Sequence, residues 1–154
     1  MKSHDLEKRI ATALRQRLLA APAELRAMAT AETVAWQAPE FENDEGQQEA
    51  MQALLRACID ARAMIFGRPV DNALGNEGRV PQAPRKPQQQ VASERLLALE
   101  RAIVAATRAS RMLRQRGLKP TITTSERVDL ATGERVLTRA ELRFRRRVAD
   151  RRAA

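Results

Sequence analysis

Apolar residues recur at every third or fourth position over four stretches of the chain, and this spacing is typical of amphipathic helices. The first stretch places Leu6, Ile10, Leu14 and Leu18 on one face. The four stretches cover about residues 3–19, residues from Pro22 onward, residues up to Phe66 and residues 93–116. We therefore expect a mainly α protein, built as a helical bundle.

The last of these helices is the longest, and its apolar positions alternate between spacings of three and four. That pattern is an a/d heptad seam. It covers about three heptads, so the helix either joins a bundle within its own chain or pairs with a second copy. The seam residues are Leu96, Leu99, Ile103, Ala106, Ser110 and Leu113.

A short β-hairpin is predicted at about residues 121–138, where β-branched residues flank a turn that contains Gly133. A left-handed Gly133 would close a three-residue loop. This register places Val128 opposite Val136 and Asp129 opposite Arg135, and both are favourable cross-strand pairs.

The segment from Thr138 to about Arg152 is predicted to be a helix rich in arginine. Thr138 and Glu141 match the capping-box pattern, in which two side chains satisfy the first amides of a helix. Guanidinium groups stay charged and hold phosphates with paired hydrogen bonds, so this helix is the candidate nucleic-acid-binding site. Its candidate residues are Arg139, Arg143, Arg145, Arg146, Arg147, Arg151 and Arg152.

The charge is divided unevenly along the chain. Residues 1–78 hold nine Lys and Arg against twelve Asp and Glu, whereas residues 79–154 hold nineteen against seven. A stretch rich in proline, glycine and glutamine lies near this change and is typical of a linker. We predict an acidic helical region at 1–66, a linker or long loop at 67–91 and a basic region at 92–154.

Few residues are suited to catalysis. His4 is the only histidine and lies near the N-terminus, and Cys58 lies on the apolar face of the third helix, where packing explains it. The acidic residues from Glu40 to Glu45 lack the spacing of a calcium loop, and helix-start electrostatics accounts for them better. We therefore predict no enzyme activity, no catalytic residues, no metal site and no cofactor.

These patterns favour a self-associating accessory protein that binds the phosphate backbone of DNA or RNA without sequence specificity. The alternative is a structural or adaptor subunit of a larger assembly, whose basic tail docks on an acidic protein surface. The N-terminal region is a possible contact for a protein partner. A single cysteine and the lack of a signal-like or membrane-spanning apolar run predict a soluble, cytoplasmic protein with no membrane role.

Overall fold

The structure is a computed structural model that describes residues 3–66 and 88–147; side chains are described for residues 5–66 and 93–147. Within these ranges the chain forms four helices and three strands. The helices are α1 (Ser3–Leu18), α2 (Ala23–Thr30), α3 (Glu45–Phe66) and α4 (Gln88–Gln115). The strands are β1 (Thr33–Trp36), β2 (Leu118–Val128) and β3 (Arg135–Arg146).

The helix boundaries follow the sequence signals for α1 and at the ends of α3 and α4, whereas α4 begins at Gln88, before the predicted start at residue 93. Leu14 and Leu18 are fully buried and Ile10 nearly so, as their spacing of four predicts for α1. Asp44 caps α3, because its Oδ1 accepts a 2.7 Å hydrogen bond from the Gln47 amide while Gln47 Oε1 accepts one from the Asp44 amide. Gly117 ends α4 with φ +82°, a left-handed conformation in which a side chain would be strained.

The three strands form one mixed sheet with the order β1-β3-β2. β3 is the central strand. It pairs in parallel with β1, where Thr33 lies opposite Arg139, and antiparallel with the long β2, where Leu118 lies opposite Arg146. The expected mainly α bundle with a single hairpin is therefore wrong, since a mixed three-stranded sheet is an integral layer of the fold.

The predicted C-terminal arginine-rich helix is also wrong, because residues 135–146 form β3. Ala140, Leu142 and Phe144 are buried, while Arg139, Arg143 and Arg145 at alternating positions are exposed. Apolar and charged residues thus alternate with the period of two that a half-buried strand requires. A helix would have left Leu142 outside the apolar stripe. The Thr138-to-Glu141 pattern is therefore a coincidence of sequence rather than a helix start.

The hairpin differs from its prediction in length and register. It joins strands of eleven and twelve residues, and Val128 pairs with Arg135 instead of Val136. The Asp129 amide donates to the Glu134 carbonyl and the Gly133 amide to the Asp129 carbonyl, so the loop has one more residue than predicted. Gly133 is left-handed, as predicted, with φ +73°. A bulge beside Ser125 shifts the register within the sheet.

Strand β1 lies in the stretch from Pro22 onward, for which the sequence predicts only helix. Ala31 already has an extended backbone with ψ 148°, and the Glu32 amide donates to the Leu137 carbonyl of β3. Residues before and after the predicted linker therefore share one sheet. Apart from the start of α4 at Gln88, the linker at 67–91 lies outside the described residues.

The core lies between the helices and one face of the sheet. Leu14, Leu54, Leu99 and Leu142 are fully buried in it, so residues of both the acidic and the basic region contribute. Alanines at 57, 61, 102, 106 and 109 allow close packing where α3 meets α4.

The heptad seam of α4 packs within this core. Leu99, Ala106, Ser110 and Leu113 are buried, and the partly buried Leu96 and Ile103 pack against them. Across the described segments, no helix combines the length and the apolar character that crossing a bilayer requires.

Candidate nucleic-acid interface

The sheet turns one face toward the helices and presents cations on the other. The register sets Lys119 opposite Arg145, Thr121 opposite Arg143 and Ser125 opposite Arg139, so all these residues share the outer face. Lys119, Arg139, Arg143 and Arg145 are exposed, and we call these four residues the basic face.

One carboxylate lies inside the basic face. Glu141 Oε1 accepts a 2.6 Å hydrogen bond from Arg143 Nε, and its Oε2 accepts one of 3.3 Å from Arg139 Nη2. Hydrogen bonds from Arg143 and then Arg139 lower the pKa of Glu141, because they favour the charged form. Glu141 therefore offsets part of the charge on two of the four cations. Lys119 and Arg145 form no ion pair within the described residues.

The predicted arginine site is only partly brought together. Arg139, Arg143 and Arg145 share the basic face, but Arg146 lies on the opposite face of β3, with its guanidinium 4.7 Å from the centroid of the Phe41 ring. Arg147 follows β3, and its amide donates to the Gly117 carbonyl across 2.7 Å. The predicted site residues Arg151 and Arg152 lie outside the described residues.

A groove of about 720 Å³ adjoins the basic face where α4 ends and β2 begins. Arg145, one of the arginines predicted from the sequence, belongs to both the groove and the basic face. We call this surface the basic groove; it is lined by Arg114, Lys119, Thr121, Arg145, Arg146 and Arg147.

Lys119 and Arg114 were missed by the sequence reasoning. Lys119 lies outside both the predicted helix at 93–116 and the predicted hairpin at about 121–138, whereas β2 begins at Leu118 and places Lys119 beside Arg145. Arg114 was interpreted only as part of a helix. Its spacing of three from Arg111 was a usable signal, because residues three apart share a helix face.

The surroundings of Cys58 account for it as a packed residue of the core. Cys58 is buried, and burial together with the charge of Glu24 raises its pKa to about 12, so its thiol is protonated at neutral pH. In the described part of the chain no three His, Cys, Asp or Glu side chains form a group that could hold a metal ion. The His4 side chain lies outside the described residues.

Comparisons with protein-family models, with curated proteins and with solved structures found no match for this chain.

Proposed function

We propose that this chain is a non-enzymatic protein that binds the phosphate backbone of DNA or RNA through its basic face. The observation that carries the proposal is the placement of Lys119, Arg139, Arg143 and Arg145 on one exposed sheet face. Cations gathered on one face make an electrostatic footprint for a polyanion, and they release counterions when phosphates replace them.

The geometry of the face supports contact with several phosphates at once. Strand residues two positions apart are separated by about 7 Å. Arg143 and Arg145 are therefore about 7 Å apart along β3, and Arg139 and Arg143 are about 14 Å apart. Hydroxyl groups of Thr121, Thr123 and Ser125 share this face. Such hydroxyls position a backbone without reading its sequence.

Among the residues that the structure describes, the paired positions of this face include no aromatic residue. Its paired positions carry Lys, Arg, Glu, Thr and Ser from β2 and β3, and Thr33 and Ala35 from β1. Sheets that bind single strands by sequence stack bases on aromatic side chains. The composition therefore favours backbone contacts and supports binding without base specificity.

The basic groove extends this surface beyond the sheet. It adds Arg114 and Arg147 next to Lys119 and Arg145, and none of its six lining residues is acidic. A bound strand could therefore continue from the open face into the groove and remain in contact with cations.

The proposal is tested by the salt dependence of binding. Fluorescence anisotropy of a labelled duplex DNA and of a single-stranded RNA is measured with the full chain from 50 to 300 mM KCl. We expect log Kd to rise linearly with log [KCl], with a slope of about 0.9 per phosphate contact on the duplex. The absence of binding at 50 mM KCl, or a Kd that does not change with the KCl concentration, would contradict the proposal. Either result would favour an acidic protein as the partner of the basic surface.

Self-association and a protein partner for the N-terminal region stay predictions. The seam residues that suggested self-association pack inside the chain. A mass measurement in solution decides whether a second copy is nevertheless bound.

A further inference from the structure

A separate cavity of about 290 Å³ lies beside the C-terminal half of α4. Arg111 and Arg114 of α4, Arg147 after β3 and Pro22 before α2 line it, and Ser110 is the buried residue of its lining. We call it the Ser110 cavity. Arg114 and Arg147 also line the basic groove, so the two spaces adjoin.

Ser110 is the unusual residue of this cavity. It is only 4% exposed, and its Oγ is buried without a hydrogen-bond partner among the described residues. A helical serine or threonine can satisfy its hydroxyl on the carbonyl four residues earlier, and Thr107 does so with Ile103 across 2.8 Å. Buried polar groups are seldom left unpaired. The hydroxyl therefore keeps an unused hydrogen-bonding capacity beside the cavity that Ser110 lines.

The charges around the cavity specify the sign of that ligand. Arg111 makes no ion pair within the described residues, and Arg147 Nη1 reaches the Arg114 carbonyl at 3.5 Å, which places its guanidinium over the last turn of α4. Among the described residues, the carboxylate that pairs with a lining arginine is the buried Glu24, whose Oε1 lies 3.9 Å from Arg114 Nη2. Three cations against one carboxylate leave a net charge of about +2, which matches a dianion.

The start of α2 adds to this preference. Pro22 precedes the helix and provides no side-chain cap, so the amides of the first turn keep their partial positive charge. The C-terminus of α4 has the opposite polarity and by itself would explain basic residues in its last turn. That explanation does not account for the unpaired hydroxyl of Ser110.

We infer that the Ser110 cavity binds a single phosphate group. Guanidinium groups of Arg111, Arg114 and Arg147 would hold its oxygens by charge-assisted hydrogen bonds, and Ser110 would donate its hydroxyl. The phosphate could be free in solution or form the end of a nucleic acid that lies along the basic groove. Binding of the phosphate itself does not depend on the proposed function of the basic face.

The first test measures binding of inorganic phosphate to the full chain by calorimetry, at constant ionic strength set with KCl. We expect saturable binding that is weakened at least tenfold in Ser110→Ala and in Arg111→Gln. Arg108→Gln removes an exposed arginine outside the cavity and should bind as the wild type does. Circular dichroism checks folding, and Ser110→Ala should be at least as stable as the wild type, because it removes an unpaired buried hydroxyl. Absence of saturable binding, or equal binding by Ser110→Ala, would overturn the inference.

The second test distinguishes the source of the phosphate. Oligonucleotides of one sequence with a 5′-phosphate or a 5′-hydroxyl are compared by anisotropy. Tighter binding of the phosphorylated strand, lost in Ser110→Ala, identifies a nucleic-acid end, whereas equal binding alongside a positive calorimetric result identifies free phosphate. If phosphate binds but neither oligonucleotide does, the proposed function fails and the cavity remains a phosphate site.

Discussion

Arg143 Nε donates a 2.6 Å hydrogen bond to Glu141 Oε1 on the exposed face of β3. The two residues lie two positions apart along the strand, so both side chains leave it on the same side. Arg139 reaches the other carboxylate oxygen from the opposite direction. Glu141 thus lies between two of the cations that we propose for phosphate contact, and it competes with phosphate for both.

Replacing Glu141 by glutamine should strengthen nucleic-acid binding. Removing this competing carboxylate leaves Arg139 and Arg143 free to contact phosphate, so the Kd at 0.1 M KCl should fall about fivefold. Anisotropy with duplex DNA measures it. Asp60→Asn is the matched control, because it removes a carboxylate from the exposed pair of Arg56 and Asp60 on α3. Weaker binding by Glu141→Gln, or an equal gain in the control, would count against the basic face.

The stabilising effect of Glu141 should depend on pH. Because its pKa is lowered in the fold, the carboxylate contributes stability above its ordinary value of 4.5, and that contribution is lost as the pH falls through the lowered pKa. The Tm of the wild type should exceed that of Glu141→Gln by a constant amount from pH 6 to 8. The difference should shrink as the pH falls below 4.5 and approach zero once Glu141 is protonated in the fold. A difference that persists unchanged in acid would show that the arginine pairs do not stabilise the fold.

The buried position of Leu142 gives the most direct check on the corrected C-terminal element. Its side chain is fully buried in the core, so Leu142→Ala should lower the free energy of unfolding by about 2–5 kcal/mol. Leu130 is 98% exposed in the hairpin loop, and Leu130→Ala should change the free energy by less than about 0.5 kcal/mol. Urea unfolding followed by circular dichroism measures both. Similar values for the two variants would not fit residues 135–146 as a strand.

The four helices could be predicted because their signals are local. Apolar spacing identified the inner face of α1, and the stop signals at Phe66 and Gly117 were placed correctly. The seam of α4 also faces the core. Each of these features depends on residues within one or two turns of each other, and such patterns are visible in a single sequence.

The sheet was missed because its pairing is non-local. β1 has only four residues and forms by parallel pairing with β3, whose residue 139 lies opposite Thr33. In β3 the alternation from Ala140 to Phe144 predicts a strand, whereas Thr138 and Glu141 match the start of a helix. The capping pattern favours the wrong element, because residues 135–146 form a strand. Tertiary context decides such cases.

The helix predicted in place of β3 also affected the candidate binding site. Arg139, Arg143 and Arg145 were predicted, and the strand alternation collects them on one face while it sends Arg146 to Phe41 on the other. Lys119 joins them only through its cross-strand pairing with Arg145. A helix model could not supply that neighbour, because cross-strand contacts depend on register rather than on sequence distance.

Cys58 should be unreactive in the folded protein. Its pKa of about 12 and its burial leave almost no thiolate at pH 8, so a disulfide reagent should titrate no thiol until the chain is unfolded in guanidinium. Ala105→Cys introduces an exposed thiol on α4 and should react with one equivalent at once. Rapid reaction of the wild-type chain would show that Cys58 is accessible and would reopen a role in chemistry.

The central claim is that cations of the basic face contact phosphates. The decisive measurement is the slope of log Kd against log [KCl] for duplex DNA in two double variants of equal charge. Lys119→Gln/Arg145→Gln removes two cations of the basic face that form no ion pair among the described residues. Arg101→Gln/Arg108→Gln removes two exposed arginines from α4. We predict a slope smaller by about 1.8 in the face variant, from about 0.9 per lost contact, and an unchanged slope in the control. Equal slopes in the two variants would contradict the account.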